Sequence, residues 1–168
     1  MRAVIRGTMF VVATLAFPML SAAQQIDSPA AFARLKTLAG TWDVRVKGTD
    51  RPSTWVYEMT GRGTVLIENA GGMMTAYHLD KGTLVLTHFC GAGNQPRMRV
   101  KAVDDGGRHI RFEMYDITNL ASPQSYYSNT LDVTFYGDDR VELVYGGTTN
   151  GVASSQTFLL SRRKSATR

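Results

Sequence analysis

The sequence has 168 residues, the length of one domain or of one domain with a short appendage. Charged residues make up 20% of it and hydrophobic residues 43%, a balance that excludes a disordered chain. Its single cysteine excludes an intrachain disulfide and a cysteine-rich zinc module. The sequence also lacks the basic runs interleaved with aromatic residues that indicate a nucleic-acid surface.

Residues 1–23 are typical of a cleaved secretory signal, so we expect a periplasmic or extracellular protein. Two arginines precede a nearly all-apolar run at 9–20, and Ser21-Ala22-Ala23 supplies the small residues before a cleavage site at Gln24. The run has about 12 residues whereas a membrane-spanning helix needs about 20, which favours cleavage over an uncleaved anchor. Because the only cysteine is Cys90, no lipoprotein anchor is expected.

The predicted domain covers residues 24–161, and a basic tail follows at 162–168. The domain carries 13 basic and 14 acidic residues, whereas four of the seven tail residues are basic. The high isoelectric point therefore comes from the tail. We expect a solvated terminus here, and contact with an anionic lipid or a partner is the alternative.

One helix is predicted, and only strands follow it. Ser28 is a suitable N-cap, Pro29 suits the first helical position, apolar residues recur at helical spacing up to Leu38, and Gly40 ends the run. Ten later segments alternate apolar and polar residues or are rich in β-branched and aromatic residues. These predicted strands are 42–47, 54–59, 64–68, 73–79, 83–90, 97–103, 109–115, 131–135, 140–145 and 156–161.

Short glycine-containing and aspartate-containing turns join most of the predicted strands, which indicates an antiparallel meander. Such a sheet hides its edges by closing, so we predict an all-β fold, an up-and-down barrel of roughly ten antiparallel strands. Its interior is filled by side chains or holds a small ligand. The one long link, residues 116–128, is predicted to lie over a barrel end.

The predicted helix leads into Gly40-Thr41-Trp42, and a short helix followed by Gly-x-Trp resembles the opening of the calycin superfamily, which includes lipocalins and fatty-acid-binding proteins. The resemblance implies that the helix plugs one end of the barrel and that Trp42 packs across that closed end. Residues 87–98 (Thr-His-Phe-Cys-Gly-Ala-Gly-Asn-Gln-Pro-Arg-Met) are similar to a signature in exported bacterial lipocalin-like proteins of a domain-of-unknown-function group. That second resemblance supports the fold and supplies no chemistry.

Nitrobindin-like haem barrels are a neighbouring family with a late histidine as the iron ligand. The match to them is poor, because the last histidine here is His109 and three predicted strands follow it. We therefore expect no cofactor.

The length of the turn at Asp80-Lys81-Gly82 decides where His78 and His88 point. A three-residue loop puts both imidazoles on one face about 13 Å apart, whereas a two-residue loop puts them on opposite faces. Neither register lets both bind one zinc ion, so we expect no metal site. We favour the three-residue register because its shared face is mostly apolar and hence inward. That face contains Met74, Ala76, His78, Leu84, Leu86, His88 and Cys90.

His88 and Cys90 would then project into the barrel two residues apart. One interpretation is a polar anchor in an apolar cavity. The other is a buried histidine whose ring bonds to a neighbouring carbonyl. For Cys90, we favour a buried, inert cysteine over a nucleophile. At 91–98, the side chains of Asn94, Gln95 and Arg97 suit an anionic head group at the barrel mouth or, with more weight, cap the loop's own backbone.

The sequence thus predicts a secreted, non-enzymatic barrel that binds a small apolar or amphipathic molecule, without nucleic acid, stable membrane insertion, metal or cofactor. A small hydrolase or isomerase using His88 with Cys90 or Arg97 at the barrel mouth is one alternative, and a structural module that presents its loops to a partner is another. The oligomeric state stays open. The expected ligand contacts are His88, Cys90, His78, Asn94, Gln95, Arg97, Met98, Phe112, Met114, Leu84 and Leu86.

Overall fold

The computed structural model describes residues 26–49 and 51–164, so the predicted signal segment 1–23 lies outside the described residues. One α-helix and ten strands form the described chain. Their bounds are α1 Ser28–Lys36, β1 Gly40–Val46, β2 Pro52–Thr60, β3 Val65–Ala70, β4 Met73–Asp80, β5 Thr83–Phe89, β6 Gln95–Asp104, β7 His109–Thr118, β8 Tyr127–Phe135, β9 Arg140–Thr149 and β10 Val152–Arg162. Within these residues no helix combines the length and the hydropathy that a membrane crossing requires.

The ten strands form a closed antiparallel barrel, which confirms the predicted fold. Each strand pairs with its neighbours in sequence, and β1 pairs with β10 to close the sheet. Closure gives every strand two partners, so no row of backbone donors and acceptors is left as an open edge. Alternate side chains point into the barrel, where the core is dominated by leucine, valine and aromatic residues.

The helix begins at Ser28, but its N-cap is Asp27 and not Ser28 as predicted. The Asp27 carboxylate accepts a hydrogen bond of 2.9 Å from the backbone N–H of Ala30, which satisfies a donor that the first helical turn leaves free. The helix ends at Lys36, four residues before Gly40. Gly40 instead opens β1 with a φ of +130°, and a Cβ there would lie 3.2 Å from the Arg162 guanidinium.

The helix closes one end of the barrel. Arg34 reaches from α1 across the β8–β9 turn, where it bonds to the carbonyl of Gly137 and stacks 4.3 Å above the Phe135 ring. Trp42 is fully buried next to the helix, and its indole N–H donates to the Leu38 carbonyl at 2.7 Å. This end therefore buries an aromatic residue whose one polar group is bonded.

The start of the predicted tail is attached to the barrel. Arg162 is the last residue of β10, and its guanidinium stacks 4.2 Å above the Trp42 ring while it donates to the carbonyls of Thr37 and Ala39. Arg163 pairs with Asp43 on β1. Both arginines thus bond to the barrel, although Arg163 remains exposed to solvent, and residues 165–168 lie outside the described residues.

The β4–β5 turn has two residues, so the favoured three-residue register is wrong. Lys81 and Gly82 both have positive φ values, +47° and +84°, which match the twist of a two-residue hairpin. His78 consequently lies opposite Val85, and the inward residues of β4 are Thr75 and Tyr77. A one-residue shift reverses the face of a whole strand, so the shared face of His78 and His88 does not exist and their imidazoles point to opposite faces.

Candidate functional site

A cavity of about 180 Å³ opens at the barrel end opposite α1. The connections β3–β4, β5–β6 and β7–β8 surround it, and in an up-and-down barrel these lie at the end away from the start of β1. Its volume lies below the 300–1,000 Å³ that is usual for drug-sized ligands. It is lined by Trp55, Glu68, Ala70, Met73, His88, Cys90, Tyr126, Ser128, Tyr145, Gln156 and Phe158.

A polar row crosses four adjacent strands beside this cavity. Tyr57 on β2 lies directly opposite Glu68 on β3, Glu68 lies opposite Thr75 on β4, and Thr75 lies opposite His88 on β5. All four side chains are buried and point inward. Directly opposite residues on neighbouring strands stand close enough to interact, so the register itself assembles the row.

The Glu68 carboxylate is 1% exposed and accepts four hydroxyl hydrogen bonds. Tyr57 and Tyr77 donate to Oε2 at 2.8 and 2.9 Å, and Thr75 and Tyr145 donate to Oε1, each at 3.2 Å. An ionised carboxylate only accepts hydrogen bonds and has about four lone-pair sites, so four donors match it. This arrangement compensates a charge that would otherwise be costly to bury.

The Thr75 hydroxyl links Glu68 to His88, because its oxygen also lies 2.9 Å from Nδ1 of His88. The hydroxyl has one proton, and the carboxylate cannot donate, so that proton points to Glu68. Thr75 must then accept a hydrogen bond from His88, so we infer that the neutral imidazole is the Nδ1–H tautomer. Nε2 is left as a hydrogen-bond acceptor, and the hydrogen bond of the ring to a described residue uses Nδ1 alone.

Burial controls the ionisation of this network. Desolvation raises the pKa of Glu68 above its ordinary value, although the four hydroxyl donors act in the opposite direction. Desolvation, together with the nearby Glu68 charge, raises the pKa of Tyr57, Tyr77 and Tyr145 well above 10. Desolvation also lowers the pKa of His88 to about 4, so its imidazole is neutral at pH 7.

The rim of the cavity is formed by two loops that bond to each other. Cys90 follows β5, and its backbone N–H donates to the Asn94 carbonyl at 3.0 Å. The Asn94 side chain donates to the Tyr126 carbonyl at 2.7 Å, which ties this loop to the β7–β8 connection. That connection covers 119–126, is shorter than the predicted long link, and places Tyr126 in the lining of the cavity.

Tyr126 packs onto β9 where the strand has no side chain. A Cβ at Gly147 would lie 2.6 Å from the ring of Tyr126, a distance that real Cβ contacts do not reach. Glycine is therefore required at 147 inside the strand, because the Tyr126 ring approaches the backbone too closely for a side chain. The predicted strand, which ended at Tyr145, was too short, since β9 continues to Thr149.

Two of the predicted ligand contacts line the cavity, His88 and Cys90. Gln95 and Arg97 bond elsewhere: the Gln95 amide contacts Gly93, Thr118 and Asn119, and Arg97 forms an exposed ion pair with Asp116. Gln95 and Arg97 thus bond within the protein and do not line the cavity. His78, on the outer face, contacts the Leu79 carbonyl. The remaining apolar residues that were predicted as ligand contacts do not line the cavity. Met114 packs against the core, and four are buried within it: Leu84, Leu86, Met98 and Phe112.

The most unusual residue of the site, Glu68, did not enter the predicted site. Its signal is present in the sequence, because Glu68 alternates with Leu66 and Ala70 along β3 and so shares their inward face. Thr75 and Tyr77 were assigned to the outer face by the wrong hairpin register. Tyr145 comes from a distant strand, and only barrel closure brings it to Glu68.

No protein-family model matches the sequence, and no curated protein shows significant similarity to it. The closed ten-stranded antiparallel barrel is consistent with a calycin-like fold. Among the described residues, no group of three or more His, Cys, Asp or Glu side chains is placed to hold a metal ion.

Proposed function

We propose that this protein binds a compact amphipathic molecule in the cavity at the open end of the barrel. The observation that carries the proposal is the cavity itself, which combines aromatic walls with a few placed polar groups. That combination is typical of small-molecule sites. The barrel fold is compatible with such binding.

The volume limits the size of the ligand. An apolar cavity of about 150 Å³ binds benzene, so about 180 Å³ accepts a ring-sized molecule with one small substituent. A long-chain fatty acid does not fit this space. The proposed ligand contacts are His88 and Cys90, with Trp55, Tyr145 and Phe158 as the aromatic walls.

The alternative of a hydrolase or isomerase requires Arg97 or Cys90 beside His88, and Arg97 does not lie there. Arg97 lies opposite Thr87 in the sheet and is exposed, so it faces away from the barrel interior that His88 occupies. Cys90 does line the cavity with His88, but its sulfur accepts from its own loop, the Ala92 N–H, at 3.5 Å. We therefore propose binding without catalysis.

A cavity-filling variant tests the proposal. Ala70→Leu adds three carbons inside the cavity, and Ala76→Leu adds the same three carbons on the outer face of the neighbouring strand. We expect benzyl alcohol, a ring-sized probe, to stabilise the wild-type protein and Ala76→Leu but not Ala70→Leu. At about 100 times the Kd the stabilisation is about 2.7 kcal/mol, measurable by chemical denaturation.

Native mass spectrometry of freshly purified protein gives the second measurement. We expect a bound molecule of ring-like size in the wild-type protein and none in Ala70→Leu. The proposal is wrong if the wild type retains no molecule and ring-sized probes stabilise it no more than Ala70→Leu.

We also propose that the chain is an exported, calycin-like protein that acts in the periplasm or outside the cell. Support comes from the charged start and apolar run of residues 1–23 and from the helix-plugged barrel. N-terminal sequencing of the protein recovered from the secreted or periplasmic fraction should begin at Gln24. Retention of an intact N-terminus inside the cell would contradict it.

A further inference from the structure

The described residues that line the cavity include an acidic side chain and no lysine or arginine. The acidic side chain is Glu68, the only carboxylate among them. A ligand carboxylate buried there would meet no cation, and an unpaired buried charge is strongly unfavourable. A ligand cation would instead lie near a compensating charge.

Beside Glu68, the hydrogen-bonding groups that the cavity offers to a ligand are acceptors, whereas the donors of the lining belong to other residues: Trp55, Tyr126, Ser128 and Gln156. The hydroxyl protons of Thr75 and Tyr145 are directed to Glu68, so these groups have no proton left for a ligand. His88 Nε2 carries a lone pair, and the hydrogen bond of the ring to a described residue uses Nδ1 alone. The part of the cavity beside Glu68 therefore favours a ligand that donates hydrogen bonds.

The aromatic walls favour a cation as well. The rings of Trp55 and Phe158 lie 4.8 Å apart between centroids, and the ring of Tyr145 stands perpendicular to Phe158 at 6.0 Å. Aromatic faces attract ammonium groups, most strongly where water is excluded. The same rings accommodate the apolar body of the ligand.

We propose that the cavity selects a compact amine in its protonated form, with the ammonium group donating to His88 Nε2 near Glu68 and the apolar body packed against the aromatic rings that line the cavity. This inference rests on the proposed function, because it names the chemical class of the ligand that the same cavity binds. It separates this barrel from one that stores fatty acids, whose carboxylates need a cationic partner.

A series of three probes of similar shape tests the charge selection. Benzylamine is a cation at pH 7, benzyl alcohol is neutral, and benzoate is an anion. We expect calorimetry to show that benzylamine binds at least about tenfold more tightly than benzyl alcohol, with benzoate weakest of the three. The inference is overturned if benzoate or benzyl alcohol binds as tightly as benzylamine.

Glu68→Gln removes the buried charge and retains the shape of the side chain. Glu58→Gln is the matched control, because it removes the same charge from an exposed position on β2. We expect Glu68→Gln to reduce the ratio of benzylamine to benzyl alcohol affinity by about tenfold or more and Glu58→Gln to leave it unchanged. An unchanged ratio in Glu68→Gln would contradict the role of the charge.

Gln156→Lys gives a test that does not depend on the buried network. Gln156 lines the cavity at an exposed position, where a lysine is tolerated without disturbing Glu68. We expect this variant to reduce the affinity for benzylamine by about tenfold or more and to increase the affinity for benzoate. If neither affinity changes, the lining charge does not select the ligand.

The experiments separate the two proposals. Benzyl alcohol or benzoate could bind to the wild-type protein but not to Ala70→Leu, while benzylamine binds to neither. In that case the cavity is a binding site and the amine selection is wrong. If none of the three probes binds to the wild-type protein and no molecule is retained, the proposed function itself fails.

Discussion

The two ends of this barrel use the same alternating strands for opposite purposes. At the helix-plugged end, Trp42 fills the interior, bonds to Leu38 and is covered by Arg162, so the end is closed by packed side chains. At the open end, Glu68 and His88 sit beside a cavity of about 180 Å³. The closed end stabilises the fold, and the open end retains buried polar groups that only a specific network can satisfy.

The largest expected effect compares two tryptophans that lie opposite each other on β1 and β2, Trp42 and Trp55. Trp42→Ala leaves a void in the closed end and removes a buried hydrogen bond, so we expect a loss of about 3–5 kcal/mol in the free energy of unfolding. Trp55→Ala enlarges an existing cavity that water can enter, and we expect a smaller loss. Urea denaturation of both variants measures the difference, and equal losses would remove the distinction between the two ends.

The next effect is a pH dependence that comes from the open end. The pKa of His88 is about 4 in the folded protein against 6.5 for an unperturbed histidine, so the unfolded chain takes up a proton first as the pH falls. The stability that this histidine contributes is complete above pH 6.5 and is lost towards pH 4, by about 3 kcal/mol at most. Glu68 acts in the opposite sense, because its raised pKa favours protonation of the folded state.

His88→Asn isolates the histidine from Glu68. We expect the difference in unfolding free energy between wild type and His88→Asn to change between pH 7 and pH 4 in favour of the variant. Denaturation series at several pH values measure this difference. A difference that is constant with pH would mean that His88 is not buried in its neutral form.

A smaller effect is expected from the tyrosines that bond to Glu68. Tyr77→Phe removes one of four donors from a buried carboxylate, so we expect a loss of about 1–3 kcal/mol. Tyr136→Phe is the matched control, because Tyr136 is 49% exposed and close to the closed end, and we expect a change within about 0.5 kcal/mol. If both variants behave alike, the four-donor network does not stabilise the ionised Glu68.

Much of the fold follows from local pattern. Each of the ten predicted strands exists, and most errors lie at their ends, as at Tyr145, where β9 continues through Gly146 and Gly147. The site was less predictable, although His88 and Cys90 do line the cavity. The hairpin at Lys81-Gly82 differs by one residue from the favoured prediction, and that difference exchanged the inner and outer faces of β4.

The spacing of apolar residues along the chain was sufficient for the strands and for the single helix, because burial of one face is a property of each element alone. The short turns between the strands then indicated a meander that closes into a barrel. The row from Tyr57 through Glu68 and Thr75 to His88 depends on the register of four strands, and Tyr145 joins it only through closure of the sheet. No local pattern contains that information, because each hydrogen bond of the network joins residues whose proximity is created by pairing between strands.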